Sequence, residues 1–313
     1  MEPNDSRIEL FAPFGEAFEL TTKILFRPFN LGKWFVIGFA AWLATFAGGL
    51  TFNFRGMGKQ DWNWKSYSHG GQHSLQDLPP WVIPVAIVGV LLVLAVIVVL
   101  TWINARGRFM FTDCIVRDRA AIAEPWREYR PEGNRYFVFQ IVVTLCNLIF
   151  FGGIFFLIAL GWYWQHPVVP LALLILIGVT YLLVALIILL VMKFMVPVMY
   201  RQRCDAISAF RQVWALLVTR PGIFLLFALF YLLLFIAFGI IGCVAACVTC
   251  CIAALPYIGT VILLPIVMFL FAYPICFLRQ FGDGYDAFAV ARPAEPPPLL
   301  IPPVQQDQPP PTP

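Results

Sequence analysis

The chain has 313 residues, of which 61% are hydrophobic and only 12% charged, with a formal net charge of +4 and a mean hydropathy of +0.83. A soluble domain is roughly 45–50% apolar and about 25% charged. So few charges cannot coat a water-facing surface of this size, which excludes a soluble globular protein; the same composition excludes disorder for the bulk of the chain.

Residues 1–32 lack the basic region and short apolar core of a cleaved signal peptide, so the first span is expected to act as an uncleaved insertion signal. Apolar stretches run over about 34–50 and 81–103, with the polar segment 51–80 between them. From Tyr136 to Met192 no residue is charged, and a second uncharged run lies between Arg220 and Arg279. A hydrocarbon core about 30 Å thick takes roughly 20 helical residues, so each run suits two spans and a turn. Turn signals sit at Gly161-Trp162-Tyr163-Trp164-Gln165-His166-Pro167 and at Leu255-Pro256-Tyr257-Ile258-Gly259. The spans thus fall at 136–160, 169–192, 222–246 and 257–278. No barrel-type alternation of polarity occurs. The fold expected is all-α: a polytopic membrane protein with six transmembrane helices in three hairpins, forming one domain over residues 1–290. Residues 291–313 contain ten prolines and read as a disordered, extended cytoplasmic tail.

Lysine and arginine set the orientation. Eighteen fall in the terminal segments, in the loop Arg106–Arg135 and in the segment Lys193–Arg220, whereas the opposite side holds only Arg55, Lys59 and Lys65. Both termini are therefore expected on the cytoplasmic side of the cytoplasmic membrane. The positive charge serves topology and gives no reason to expect nucleic acid as a partner.

A construction recurs before spans one, three and five. Glu16-Ala17-Phe18-Glu19, Glu124-Pro125-Trp126-Arg127 and Ser208-Ala209-Phe210-Arg211 are followed by Arg27-Pro28, Arg130-Pro131 and Arg220-Pro221. In the first copy Phe14, Phe18, Thr21 and Leu25 keep helical spacing; in the third Ile207, Phe210, Trp214 and Leu217 do so. Each copy is expected to be an amphipathic interfacial helix, stopped by proline before the chain enters the bilayer.

All 17 acidic residues fall outside the six spans, which argues against a proton- or sodium-coupled pump. Lys193 closes span four, where it can snorkel. Gln140, Thr144 and Asn147 share a face of span three, either as a polar path or as interhelical hydrogen bonds. Arg106, Arg108, Arg117 and Arg119, interleaved with Phe109 and Phe111, suit anionic lipid headgroups as well as topology. Cys243, Cys247, Cys250 and Cys251 suit tight packing first, then a disulfide or soft metal. His69 and His73 are four apart, but Gly70-Gly71 between them opposes a helix and no third ligand is evident. Pro256, Pro265 and Pro274 are expected to kink span six. No hydrolase, nucleotide-binding or zinc-protease motif is present, so no catalytic residue, metal site or cofactor is assigned.

Four stretches together resemble a family of uncharacterised bacterial multipass membrane proteins: Arg106-Gly107-Arg108-Phe109-Met110-Phe111, Pro125-Trp126-Arg127-Glu128-Tyr129, Gly133-Asn134, and Gln280-Phe281-Gly282 with Tyr285-Asp286 and Phe288. The likeness covers most of residues 10–288. The helix-plus-hairpin plan is also distantly similar to the membrane domain of some bacterial glycerophosphodiester phosphodiesterases, whose catalytic domain is not found here. The resemblance implies no activity. The function expected is non-enzymatic: organisation of membrane lipids or partner proteins, including a second copy of the chain. A passive channel or small-solute or lipid transporter is the alternative.

Overall fold

The computed structural model describes residues 9–45, 81–163, 171–249 and 256–291. The segment 51–80 with its histidines, Cys250, Cys251 and the tail beyond Ala291 lie outside them. The described residues form ten α-helices: α1 Phe11–Phe26, α2 Leu31–Thr45, α3 Val82–Val116, α4 Ala123–Glu128, α5 Arg130–Tyr163, α6 Leu171–Gln202, α7 Ala206–Thr219, α8 Pro221–Val248, α9 Pro256–Ile262 and α10 Leu264–Arg279. A 3-10 turn at Ala287–Val290 closes the described chain, and among the described residues there is no strand.

Among the described residues four helices are long and apolar enough to cross a membrane, over Ile87–Val116, Arg130–Ala159, Leu173–Gln202 and Pro221–Ala245. This is the build of a membrane-embedded protein. The segment expected as a basic loop, Arg106–Arg135, is mostly helix: α3 continues to Val116, α4 follows, and α5 begins at Arg130. Nothing breaks α3 there, because Gly107 is a single glycine and the run contains no proline. Phe109 and Phe111, read as headgroup aromatics, are core residues with no exposure.

The core sits at the charged ends of the long helices. Ala105–Val116, Val191–Tyr200 and Leu264–Leu278 supply most of it, with Tyr129, Tyr136, Phe224 and Phe227 between them. Away from that end the apolar windows of α3, α5, α6 and α8 are only 6%, 0%, 6% and 22% buried. Hydrocarbon is as good a solvent for leucine as another helix is, so these faces need no protein partner.

Each Arg-Pro step marks a helix boundary. Arg27 caps α1, Arg130-Pro131 opens α5, and Arg220 ends α7 before Pro221 opens α8. Proline fits there because the first helical N–H has no intrahelical acceptor anyway. The recurring tetrapeptides lie on α1, α4 and α7, α4 having only six residues. In α7 the small residues Ala206, Ala209 and Val213 face inward, while Ile207, Trp214 and Val218 of the apolar side point outward.

The segment 257–278 is two helices, α9 and α10, broken at Leu263. Pro265 carries no N–H, so the carbonyl of Val261 loses its helical donor. The indole of Trp34 on α2 donates to that carbonyl instead, at 2.9 Å. Pro274 likewise frees the carbonyl of Leu270, which accepts from the Tyr231 hydroxyl of α8 at 3.3 Å. In a medium without water, backbone groups freed by proline must find such partners.

Two further junctions set the bundle. Gly107 of α3 lies against the backbone of α2: a Cβ there would stand 2.7 Å from the Leu43 carbonyl carbon. Asn104 Nδ2 donates to Leu43 O at 3.0 Å and Ala44 O at 2.8 Å, holding the same two helices together. Helix α1 packs on α10 through Ala17, Thr21, Ile24 and Leu25. At its start Glu9 and Gln280 exchange two hydrogen bonds of 2.8 Å, and Arg279 pairs with Glu16 at 3.2 Å.

Candidate functional site

A cavity of ≈ 390 Å³ lies where α3, α5, α6, α8 and α10 meet, just above the core. Its polar lining is Arg108, Thr112, Gln140, Lys193 and Tyr231; the rest is apolar, chiefly Leu189, Met192, Val196, Phe235 and Leu270. No aspartate or glutamate lines it.

Both cations are oriented by tyrosines. Lys193 Nζ donates to the Tyr231 hydroxyl at 2.6 Å and lies 4.2 Å from the centre of its ring. The Tyr231 hydroxyl donates in turn to Leu270 O, the carbonyl released by Pro274. The proline in α10 therefore frees the carbonyl that anchors the phenol that holds the lysine. Arg108 Nη1 donates to the Tyr136 hydroxyl at 3.0 Å, while its Nε is buried without a partner. Gln140 Oε1 is likewise buried and unpaired. Two cations, a free guanidinium N–H and a free amide oxygen thus meet in one pocket. Neutral phenols orient such charges but do not neutralise them.

The polar face expected on span three divides. Gln140 lines the cavity. Thr144 is exposed and returns its hydroxyl to Gln140 O at 2.8 Å. Asn147 donates to Val143 O at 2.6 Å and accepts from Tyr181 of α6, an interhelical contact. The four arginines divide too, and only Arg108 reaches the cavity. Arg106 is buried: its Nε and Nη2 donate to Asn134 Oδ1 at 3.2 and 2.9 Å, and its guanidinium lies 4.2 Å from the Trp102 ring.

Arg117 and Arg119 belong to a charge cluster at the end of the bundle. Asp113, fully buried, accepts from Tyr200 at 2.9 Å and from Arg119 at 2.8 Å, with Arg117 at 3.4 Å. Arg117 also forms a two-pronged pair with Glu128 at 2.9 and 3.0 Å. Arg203, just beyond α6, bonds Glu128 and lies 3.7 Å from the centre of the Tyr129 ring. Partial burial would raise the Glu128 carboxyl, but the hydrogen bond and charge of Arg117 and the pair with Arg203 outweigh it and hold the group below its ordinary value. The cluster ties α3, α4, α5 and α6 at one end.

Lys193 is the cavity residue whose role its position in the sequence did not suggest. It ends an apolar run, where snorkelling is the ordinary behaviour; the signal was the absence of a carboxylate within helical reach of it. Among the described residues no group of three histidine, cysteine or acidic side chains is arranged to hold a metal. Cys243 and Cys247 carry free thiols.

Residues 10–288 match the family of unknown function DUF7544. The chain belongs to that family. The match takes in every helix described above and therefore the whole cavity lining. No curated protein and no solved structure matches the chain.

Proposed function

We propose that the protein is a non-enzymatic integral membrane protein that organises lipids at the cytoplasmic membrane. It spans the bilayer six times with both termini in the cytoplasm, α2 and the α9–α10 pair contributing the two spans beyond the four long helices. The observation that carries the reading is the cavity: Arg108 and Lys193 stand together without a carboxylate, beneath helices whose apolar faces are almost wholly exposed. Ionisable groups at membrane depth are costly and mark sites of function. An anionic amphiphile supplies both the missing charge and the apolar solvent. The outward row Ile207, Trp214 and Val218 on α7 suits an interfacial helix lying on the same leaflet.

The test is lipid composition. Full-length protein purified in mild detergent from a membrane of mixed composition is expected to retain anionic phospholipid enriched several-fold over the bulk membrane. Retained lipid of bulk composition overturns the proposal.

One observation favours a passive conduit instead: Gln140, on the expected polar path, does line the cavity with an unpaired oxygen. A cysteine placed at 140, in a chain freed of native cysteine, decides. Labelling by a membrane-impermeant thiol reagent supports a hydrated path, and its failure from both sides removes one.

A further inference from the structure

We propose that the cavity is a headgroup site for a single anionic phospholipid, with the phosphate held between Arg108 and Lys193 and the acyl chains leaving between α6 and α8. The inference rests on the lipid-organising reading and names its ligand and its residues.

Every element around the cavity contributes to the lining: Ala44 from α2, Arg108 and Thr112 from α3, Gln140 from α5, Leu189–Pro197 from α6, Tyr231 and Phe235 from α8, and Leu270–Ile275 from α10. None of these contributions is acidic. The nearest buried carboxylate along α3, Asp113, is already bonded to Arg119 and Tyr200. The two cations are therefore uncompensated by protein. A phosphate supplies oxygens for several donors at once, which suits a guanidinium with a free Nε–H beside an ammonium.

The polar geometry narrows the class. Lys193 is fixed by Tyr231, and Tyr231 by the carbonyl of Leu270, so the ammonium is positioned before any ligand arrives. Arg108 is fixed through Nη1 and keeps Nε–H to give. Gln140 Oε1 offers an acceptor to a second group on the ligand. A headgroup that joins a phosphate to a hydroxyl meets all three. A zwitterionic headgroup would place a third cation in a pocket that already has two.

Size and exit decide between a lipid and a free anion. The cavity of ≈ 390 Å³ is at the small end of the ligand-pocket range of about 300–1,000 Å³. It holds a headgroup but not two acyl chains, which must run out of it. The lining itself reaches the lipid-facing surface: Leu189 on α6 is 61% exposed and Phe235 on α8 is 38% exposed. From there Leu182 and Leu186 on α6, and Leu232 and Ile236 on α8, continue as exposed apolar rows. A soluble phosphate has no use for such an exit.

The experiment is native mass spectrometry of the full-length protein in detergent, titrated separately with phosphatidylglycerol and phosphatidylcholine. One phosphatidylglycerol is expected to survive activation that strips phosphatidylcholine. Arg108→Gln with Lys193→Gln is expected to weaken its retention about tenfold or more. Leu189→Trp, an exposed substitution that leaves the fold alone, is expected to weaken it by blocking the chain exit. Retention unchanged in both variants overturns the site while leaving anionic enrichment, and so the broader reading, intact. No preference for phosphatidylglycerol in the wild type overturns both. Displacement of the bound lipid by millimolar inorganic phosphate, with Leu189→Trp silent, overturns the lipid in favour of a soluble phosphate ligand.

Discussion

Replacing Gly107 by alanine is a direct trial of the α2–α3 junction. The added methyl would stand 2.7 Å from the Leu43 carbonyl carbon, 2.8 Å from Leu43 Cβ and 2.9 Å from Ala44 N. Carbon atoms rest at about 3.5–4.0 Å, so the two backbones must separate by roughly 0.7–1 Å. Backbone cannot move aside as a flexible side chain would. The same separation stretches the two Asn104 hydrogen bonds to Leu43 and Ala44 beyond bonding distance. Overpacking costs about 1–3 kcal/mol and each hydrogen bond about 1 kcal/mol, against a gain of about 1 kcal/mol in helix propensity. The net expectation is a loss of about 2–4 kcal/mol. Gly89→Ala in the same helix is the control, because nothing lies within 4 Å of that position. It should be neutral or stabilising by up to about 1 kcal/mol. The assay is reversible unfolding in mixed micelles, following helicity against the mole fraction of denaturing detergent. Equal stability of the two variants would refute the close approach of α2 to α3.

Four other substitutions probe separate features, each by the same unfolding assay. Trp34→Phe leaves the Val261 carbonyl with no donor in place of the one Pro265 lacks, and should cost about 1–3 kcal/mol; a neutral result would mean that carbonyl is otherwise satisfied. Asp113→Asn removes the buried negative charge from Arg119 and Arg117 and should cost roughly 3–5 kcal/mol, whereas Tyr200→Phe deletes one hydrogen bond to the same carboxylate and should cost about 1 kcal/mol. The Glu128 carboxyl titrates below its ordinary value, so its stabilising contribution is complete above about pH 5 and is lost as pH falls through the depressed value. The acid limb of the wild-type stability profile should therefore be steeper than that of Glu128→Gln, and identical limbs would show that the pairs with Arg117 and Arg203 do not stabilise the fold.

Much of the helical plan is legible in the sequence because hydrocarbon imposes it. An uncharged run too long for one span announces its helices, and a proline beside a basic residue announces their starts. The stretch from Arg106 to Arg119 misleads for a physical reason: charge density reads as loop, yet each charge there finds a partner on another helix. Asn134 receives Arg106, and Glu124 and Glu128 of α4 receive Arg119 and Arg117. Such partners lie beyond the reach of local pattern. Periodicity put Gln140, Thr144 and Asn147 on one face, but it could not say that Tyr181 would take Asn147 and leave Gln140 facing the cavity. A disturbance near Pro265 is readable, and the chain does break there at Leu263, whereas α10 runs on through Pro274. The donors to the carbonyls these prolines free, Trp34 and Tyr231, come from other helices and are not readable.

The seating of α1 on α10 has a bearing on biogenesis. Glu9 and Gln280 are 271 positions apart, so α1 is synthesised long before α10, the helix it packs against. At about 5–20 residues per second the intervening 237 residues take roughly 12–50 s to synthesise. Over that interval Ala17, Thr21, Ile24 and Leu25 lack the helix that covers them, although Phe11 and Phe14 can already meet Phe230 of α8. An amphipathic helix can shelter such a face at a membrane surface until α10 docks against it.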